Sequence, residues 1–283
     1  MSDSNNKNNK NPQSVGDFLC FAKKQLNQFD HPLLEAEMLM SFVTEKNRSW
    51  IKIHDKDELS TQQAESFLNS VQKRTKNIPL AYITGYKIWN ELKIEVSADT
   101  LIPRDETEIL AHNIVNNSRD FTVKSIADIG TGSGCLAIFL AKQFPAASVT
   151  AIDISAKALD IAQKNAHTHD VNIRFIESDL LTEIPREHYD IIVANLPYVP
   201  TDIAITKDVE KEPYGAIFSG TDGLDAIGAL SHQLKKYDVT FGELWLEFWT
   251  PQEVAIATLF NDYKVEFYPD LSGDTYFAKI TNK

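Results

Sequence analysis

Two stretches of this 283-residue chain carry residue types and spacings that could do chemistry. In IADIGTGSGCLAIFLA, Gly130, Gly132 and Gly134 alternate with Thr131 and Ser133 between an apolar run and a helical one. Glycines at such a junction permit a tight turn and close approach of a ligand to backbone N–H groups. The spacing is G-x-G-x-G; a dinucleotide fingerprint would require glycine where Cys135 stands. Asp153 closes VTAID roughly twenty residues downstream, where an acid can take two ribose hydroxyls. Together these residues point to a cofactor that contains a nucleoside. Asp179, in FIESDLL, is placed to accept from an exocyclic adenine amine. The second stretch is VANLPYVP, Val193 to Pro200. Asn195 offers an amide oxygen as acceptor and Tyr198 offers a ring face. Pro197 lacks an N–H and restricts its neighbours, which stiffens the loop. A fixed acceptor beside a flat aromatic surface suits a planar amide or an exocyclic amine.

These groups need elements to hold them. Apolar runs at 124–130, 148–154, 172–177, 190–195 and 243–248 predict strands, and helical spacing predicts helices over 134–143, 156–167 and 222–236. Such alternation predicts a parallel sheet with helices on both faces, whose ligands bind beyond the carboxyl ends of the strands. All four motifs lie at such ends. The last segment, KVEFYPDLSGDTYFAKI, alternates on either side of LSGD and predicts an antiparallel hairpin. Residues 14–83 read as a small helical domain. Ser14 with Asp17 and Ser60 with Gln63 form capping boxes, and Pro32 opens a helix between them. Residues 84–102 read as a hairpin linker, 103–283 as the main domain, and the Asn/Lys-rich residues 1–13 as a disordered tail.

Composition narrows the function. A formal net charge of −12 disfavours a protein built to grip nucleic-acid phosphates. No apolar run is long enough for a membrane span, and MSDSNNKNNKNPQ lacks the apolar core of a secretion signal. With only Cys20 and Cys135, far apart, the expectation is a cytoplasmic protein with reduced thiols. His167 and His169 have no Cys or third His nearby and read as solvated loop residues, so no metal is expected.

GTGSG, Asp153 and the N-x-P-Y loop together resemble class I S-adenosylmethionine-dependent methyltransferases that act on planar nitrogen. Most of these have Pro where this chain has Leu196. IPLAYITGYKIWNELKIEVSADTLIPRDETEIL resembles the linker and entry segment of the HemK/PrmC-type peptide chain release factor N5-glutamine methyltransferases. EPYGAIFSGTDGLDAI, the DLSGD hairpin and DHPLLEAEMLM resemble that family's other segments. Asp105 replaces the Pro usual after I-P-R, and the last hairpin lacks an expected Arg.

The resemblance implies an α/β fold, with a Rossmann-like, mostly parallel class I methyltransferase sheet, an antiparallel C-terminal hairpin and a small N-terminal helical domain. It implies that Gly130, Thr131, Gly132, Ser133, Gly134, Asp153, Ile154, Asp179, Leu180 and Asn195 hold S-adenosylmethionine. Leu180 would flank the adenine. It further implies that Asn195, Leu196, Pro197 and Tyr198 hold the glutamine of a Gly-Gly-Gln tripeptide in a bacterial release factor. The expected setting is a cytoplasmic monomer with a protein substrate and neither a stable nucleic-acid partner nor a membrane. Competing readings are methylation of a ribosomal-protein glutamine or of adenine, or a non-catalytic cofactor-binding protein that docks a partner.

Overall fold

The computed structural model describes residues 12–119 and 121–283. The expected tail, apart from its last two residues, lies outside the described residues. The chain divides into two compact units between Thr84 and Gly85.

The first unit holds α1 (Val15–Gln25), α2 (Pro32–Thr44), α3 (Arg48–Ile53), α4 (Thr61–Thr75) and α5 (Leu80–Thr84). Both expected capping boxes form, on Ser14 with Asp17 and on Ser60 with Gln63, and Pro32 opens α2. Phe18, Leu26, Leu39, Met40, Ile51 and Phe67 share its core. Within it, buried Arg74 donates to both carboxylate oxygens of Glu35 at 2.6 and 2.9 Å while its guanidinium lies over the Phe29 ring. Paired this way, a cation can be buried at acceptable cost.

The second unit opens with a hairpin, β1 (Tyr86–Trp89) and β2 (Leu92–Glu95), followed by α6 (Asp105–Asn117). Then come β3 (Ser125–Ile129), α7 (Cys135–Gln143), β4 (Ser148–Asp153), α8 (Ala156–Thr168), β5 (Ile173–Glu177) and β6 (His188–Ala194). The chain finishes with α9 (Asp225–Lys236), β7 (Thr240–Glu247), α10 (Glu253–Leu259), β8 (Lys264–Pro269) and β9 (Thr275–Thr281). One seven-stranded sheet runs in the order β5-β4-β3-β6-β7-β9-β8. Its first five strands are parallel, and the β8–β9 hairpin joins β7 antiparallel. This is the expected α/β sheet. From β3 the chain works outward through β4 to β5; from β6 it works outward the other way to β7. Right-handed crossovers in opposite directions put α7 and α8 on one face and α9 on the other. The order therefore reverses between β3 and β6, where ligands of such sheets bind. Among the described residues no helix is long and apolar enough to cross a membrane.

Element ends differ from the sequence reading by a few residues. The expected helix over 222–236 begins at Asp225, because Gly223 takes a left-handed turn (φ +77°) just before it. Helices α3, α5 and α10, of six, five and seven residues, have no counterpart in the periodicity. So short a helix presents at most two turns of pattern.

Close packing of α7 on α8 depends on one glycine. Gly134 caps α7 with φ +81°, and a Cβ there would stand 2.9 Å from the Ala162 Cβ on α8. Gly134→Ala is expected to cost about 2 kcal/mol or more through backbone strain and overpacking. A urea midpoint equal to that of the wild type would show that the helices separate freely.

Candidate functional site

The sheet register gathers the motifs at one edge. Ile129 pairs with Ile152 on one side and with Ala194 on the other, and Ala194 pairs with Leu246. Gly130, Asp153, Asn195 and Glu247 consequently follow one another at the carboxyl ends of β3, β4, β6 and β7.

The glycine turn is held from beneath and from the side. Gly130 and Thr131 N–H donate to the Ile152 carbonyl at 2.8 and 2.9 Å. Below the turn, the buried Asp128 carboxylate accepts from Thr131 Oγ1 at 2.6 Å and from Ala137 N at 3.1 Å. Burial pushes the Asp128 carboxyl up to about 7, against the pull of those two bonds. Thr131 and Ser133 are buried, so they shape the turn from within. Beside it, Asp153 accepts from Gly132 N through Oδ2 (2.8 Å) and from Ser155 N through Oδ1 (2.9 Å). Desolvation raises the Asp153 carboxyl, and the bonds from Ser155 and Gly132 oppose that rise. Each oxygen thus has a fixed backbone donor and keeps lone-pair capacity to offer a ligand.

A cavity of about 570 Å³ opens over this edge, lined by Gly130, Gly132, Asp153, Ile154, Asp179, Leu180, Asn195, Leu196 and Pro197 among others. Its charged lining residues are all aspartates: Asp99, Asp153, Asp179 and Asp225. Gly132 has open space where a Cβ would stand, so a side chain there would intrude on a ligand. Ile154 is 70% exposed, which leaves an apolar surface beside the Asp153 carboxylate. Leu180 holds a left-handed backbone (φ +52°) unusual for leucine, and exposed Asp179 precedes it. Preorganised acceptors, an open glycine cradle, an apolar flank and lining charges that are all negative fit a cationic nucleoside cofactor.

The VANLPYVP loop leaves β6 beside the turn. Asn195 Nδ2 donates to Thr107 Oγ1 on α6 at 2.9 Å. Thr107 Oγ1 donates to Glu247 Oε2 at 2.8 Å, and the Tyr198 hydroxyl donates to Glu247 Oε1 at 3.0 Å. With its nitrogen committed, Asn195 presents its oxygen as the free acceptor. The Leu196 carbonyl likewise accepts no hydrogen bond among the described residues. Tyr198 lies apart from the cavity lining: its ring packs on the sheet core, and burial with Glu247 holds its hydroxyl protonated well above the usual range. The loop is pinned further on, where Gln252 Nε2 donates to the Tyr198 carbonyl at 2.9 Å.

Thr107 and Glu247 are absent from the sequence reading. Glu247 is buried, and burial lifts its carboxyl to about 7 despite the bonds from Thr107, Tyr198 and Asn195. The signal that could have found it is an acid ending the apolar run ELWLE, next to the strand that ends in Asn195. Thr107 gives no such signal, because only the fold brings α6 over β7.

Comparison with known proteins follows this geometry. A PrmC N-terminal domain profile matches residues 17–85, and a methyltransferase small domain profile matches residues 104–212. A release factor glutamine methyltransferase of Coxiella burnetii is 37% identical over 229 residues, covering 81% of this chain and 83% of that protein. One from Xylella fastidiosa is 38% identical, covering 81% and 84%. Among solved structures, the hMettl16 catalytic domain in complex with a MAT2A 3'UTR hairpin superposes with a TM-score of 0.55 at 12% identity, covering 86% of this chain and 90% of that one. At that identity the likeness concerns the fold alone.

Asp153 carries the most direct test of the cavity. Asp153→Ala is expected to weaken S-adenosylmethionine binding roughly tenfold or more, the loss of about 1.5–3 kcal/mol of charge-assisted bonding. Calorimetric titration giving wild-type affinity, with the melting curve unchanged, would remove Asp153 from the binding site.

Proposed function

This chain belongs to the release factor glutamine methyltransferase family, and from that premise we propose how its own residues carry a methyl group to a glutamine side-chain amide. It is an S-adenosylmethionine-dependent release factor glutamine methyltransferase; on our reading its substrate is the glutamine of the Gly-Gly-Gln motif in bacterial peptide chain release factors. The observation that carries the reading is the Asn195 oxygen, left free at the cavity while its nitrogen is bound to Thr107.

Asp153 would take the ribose, Gly130 to Gly134 would lie along the methionine part, and Ile154, Asp179 and Leu180 would surround the adenine. When bound, the cofactor supplies a methyl group on a positively charged sulfur. The four lining aspartates favour a cation there.

A glutamine amide nitrogen is a weak nucleophile because its lone pair is delocalised into the carbonyl. Asn195 Oδ1 and the Leu196 carbonyl would accept its two N–H bonds. They place partial negative charge beside nitrogen as it becomes positive, and they aim its lone pair along one line. Forming the C–N bond breaks the C–S bond, and one N–H proton then leaves to water. Catalysis is thus orientation and fixed dipoles, with no strong base required. Pro197 stiffens the loop, and Tyr198, with its ring on the sheet core rather than against the amide, anchors the loop through Glu247.

The helical residues 14–83 would dock the protein substrate. Their exposed apolar side chains, including Phe21, Leu33, Met38 and Ile53, support this role. The expected setting is a cytoplasmic monomer that binds neither nucleic acid stably nor membrane.

Asn195→Ala should lower single-turnover methylation of a release factor by roughly a hundredfold with cofactor affinity kept. Wild-type rates in that variant would refute the acceptor role. For docking, Leu33→Glu with Met38→Glu is expected to raise KM for an intact release factor severalfold and to leave KM for a Gly-Gly-Gln peptide unchanged. Equal KM values for the intact factor would remove this surface from recognition.

A further inference from the structure

We propose that Thr107 and Glu247 are positioning residues for methyl transfer, setting the Asn195 amide so that its oxygen and not its nitrogen faces the substrate. This rests on the glutamine methylation proposed above.

The direction of every proton in the chain follows from its acidic end. An ionised Glu247 has only acceptors to offer. Its Oε1 takes the Tyr198 proton and its Oε2 takes the single proton of the Thr107 hydroxyl. Thr107 Oγ1 then has lone pairs alone for its other neighbour, 2.9 Å away on Asn195. That neighbour must be the NH2 end of the amide. A flipped Asn195 would set an oxygen against an oxygen with no proton between them. The orientation is therefore imposed by Thr107 from α6 and Glu247 from β7, and Glu247 also acts on the Asn195 amide directly, as an acceptor that only its NH2 end can meet.

The consequence is chemical selectivity. Two acceptors, Asn195 Oδ1 and the Leu196 carbonyl, face the substrate together. A glutamine amide matches them with two N–H donors, whereas a glutamate carboxylate has none and would be repelled. The missing donors leave both acceptors unpaired beneath the bound side chain, which is the strong form of discrimination.

Protonation of Glu247 undoes the constraint. A neutral carboxyl can donate to Thr107, whose own proton can then turn to Asn195 and accommodate the flipped amide. Among the described residues, the groups that act on Glu247 include no cation to hold it ionised: hydrogen bonds from Thr107, Tyr198 and Asn195 lower its carboxyl, and Glu106 from α6 raises it. Tyr276 from β9 and the Cys135 thiol from α7 are the other titratable neighbours that feel its charge. Burial places the Glu247 carboxyl at about 7, so the acceptor orientation is lost as pH falls through that value.

The test uses the full chain, a release factor substrate and single-turnover rates from pH 6 to 8, with cofactor affinity and melting temperature as controls for folding. Thr107→Val is expected to lower the rate about tenfold or more with cofactor affinity unchanged, and Thr107→Ser to stay within about threefold of wild type. The wild type is expected to show an acid limb, and in Glu247→Gln that limb should disappear, since amide side chains do not titrate. A Thr107→Val rate equal to wild type would overturn the proposal, as would a Thr107→Ser loss as large as that of Val, or an acid limb unchanged in Glu247→Gln. Absence of methylation by the wild-type protein would instead bring down the glutamine reading itself, and this inference with it.

Discussion

Parallel pairing of β4, β3, β6 and β7 is the constraint on which the site depends. In a parallel sheet every strand ends at the same edge, so whatever residue follows each strand is delivered to one line. Here that line reads Asp153, Gly130, Asn195 and Glu247, with neighbours one strand spacing apart, about 4.8 Å. The reversal of order between β3 and β6 separates the helices at this edge, because the crossovers diverge to opposite faces. The cavity is the space they vacate. The register places these four residues at once, and α6 adds Thr107 from outside the sheet.

The same edge explains why two carboxylates are buried there. The strands are apolar and their ends are polar loops, so backbone and side-chain donors emerge where water is scarce. Asp128 collects a hydroxyl and a helix N–H on one oxygen, and Glu247 collects a hydroxyl on each. Each carboxylate loses hydration and gains fixed donors, and in both the desolvation dominates, which raises the carboxyl to about 7. Their roles differ with position. Asp128 sits under the glycine turn and tightens it onto α7. Glu247 sits beside the loop after β6 and determines what Thr107 can accept. A buried acid that fixes a turn is structural; one that fixes the polarity of a ligand-facing amide reaches into the chemistry.

What could be read from the sequence was what local pattern encodes. The capping boxes at Ser14 and Ser60, the strand before Gly130, the acid closing β4 and the stiffened loop at Asn195 each declare themselves within a few residues. The chain from Asn195 to Thr107 to Glu247 does not, because its members lie 88 and 140 positions apart. Such a contact exists only after α6 has settled against the end of β7. Tyr198 shows the same limit. Its ring was read as a face for the substrate, but its packing on the sheet core and the acid that holds its hydroxyl could come only from the fold. The short helices α3, α5 and α10 escaped because packing, not periodicity, stabilises helices of that length.

Leu196 shows how one loop can be made rigid in two ways. A proline ring would fix φ directly. Leucine leaves φ free, yet its side chain is only 4% exposed and joins the core beneath the sheet edge. Its Cδ2 lies 3.0 Å from where a Cβ of Gly130 would be, so the glycine that opens the turn also makes room for this side chain. Positions 130 and 196 are therefore coupled: the turn must lack a side chain there for the loop to insert one. Burial then supplies the stiffness that a ring would have given. The group that meets the substrate, the carbonyl of residue 196, is the same in either case, and what changes is the source of its rigidity.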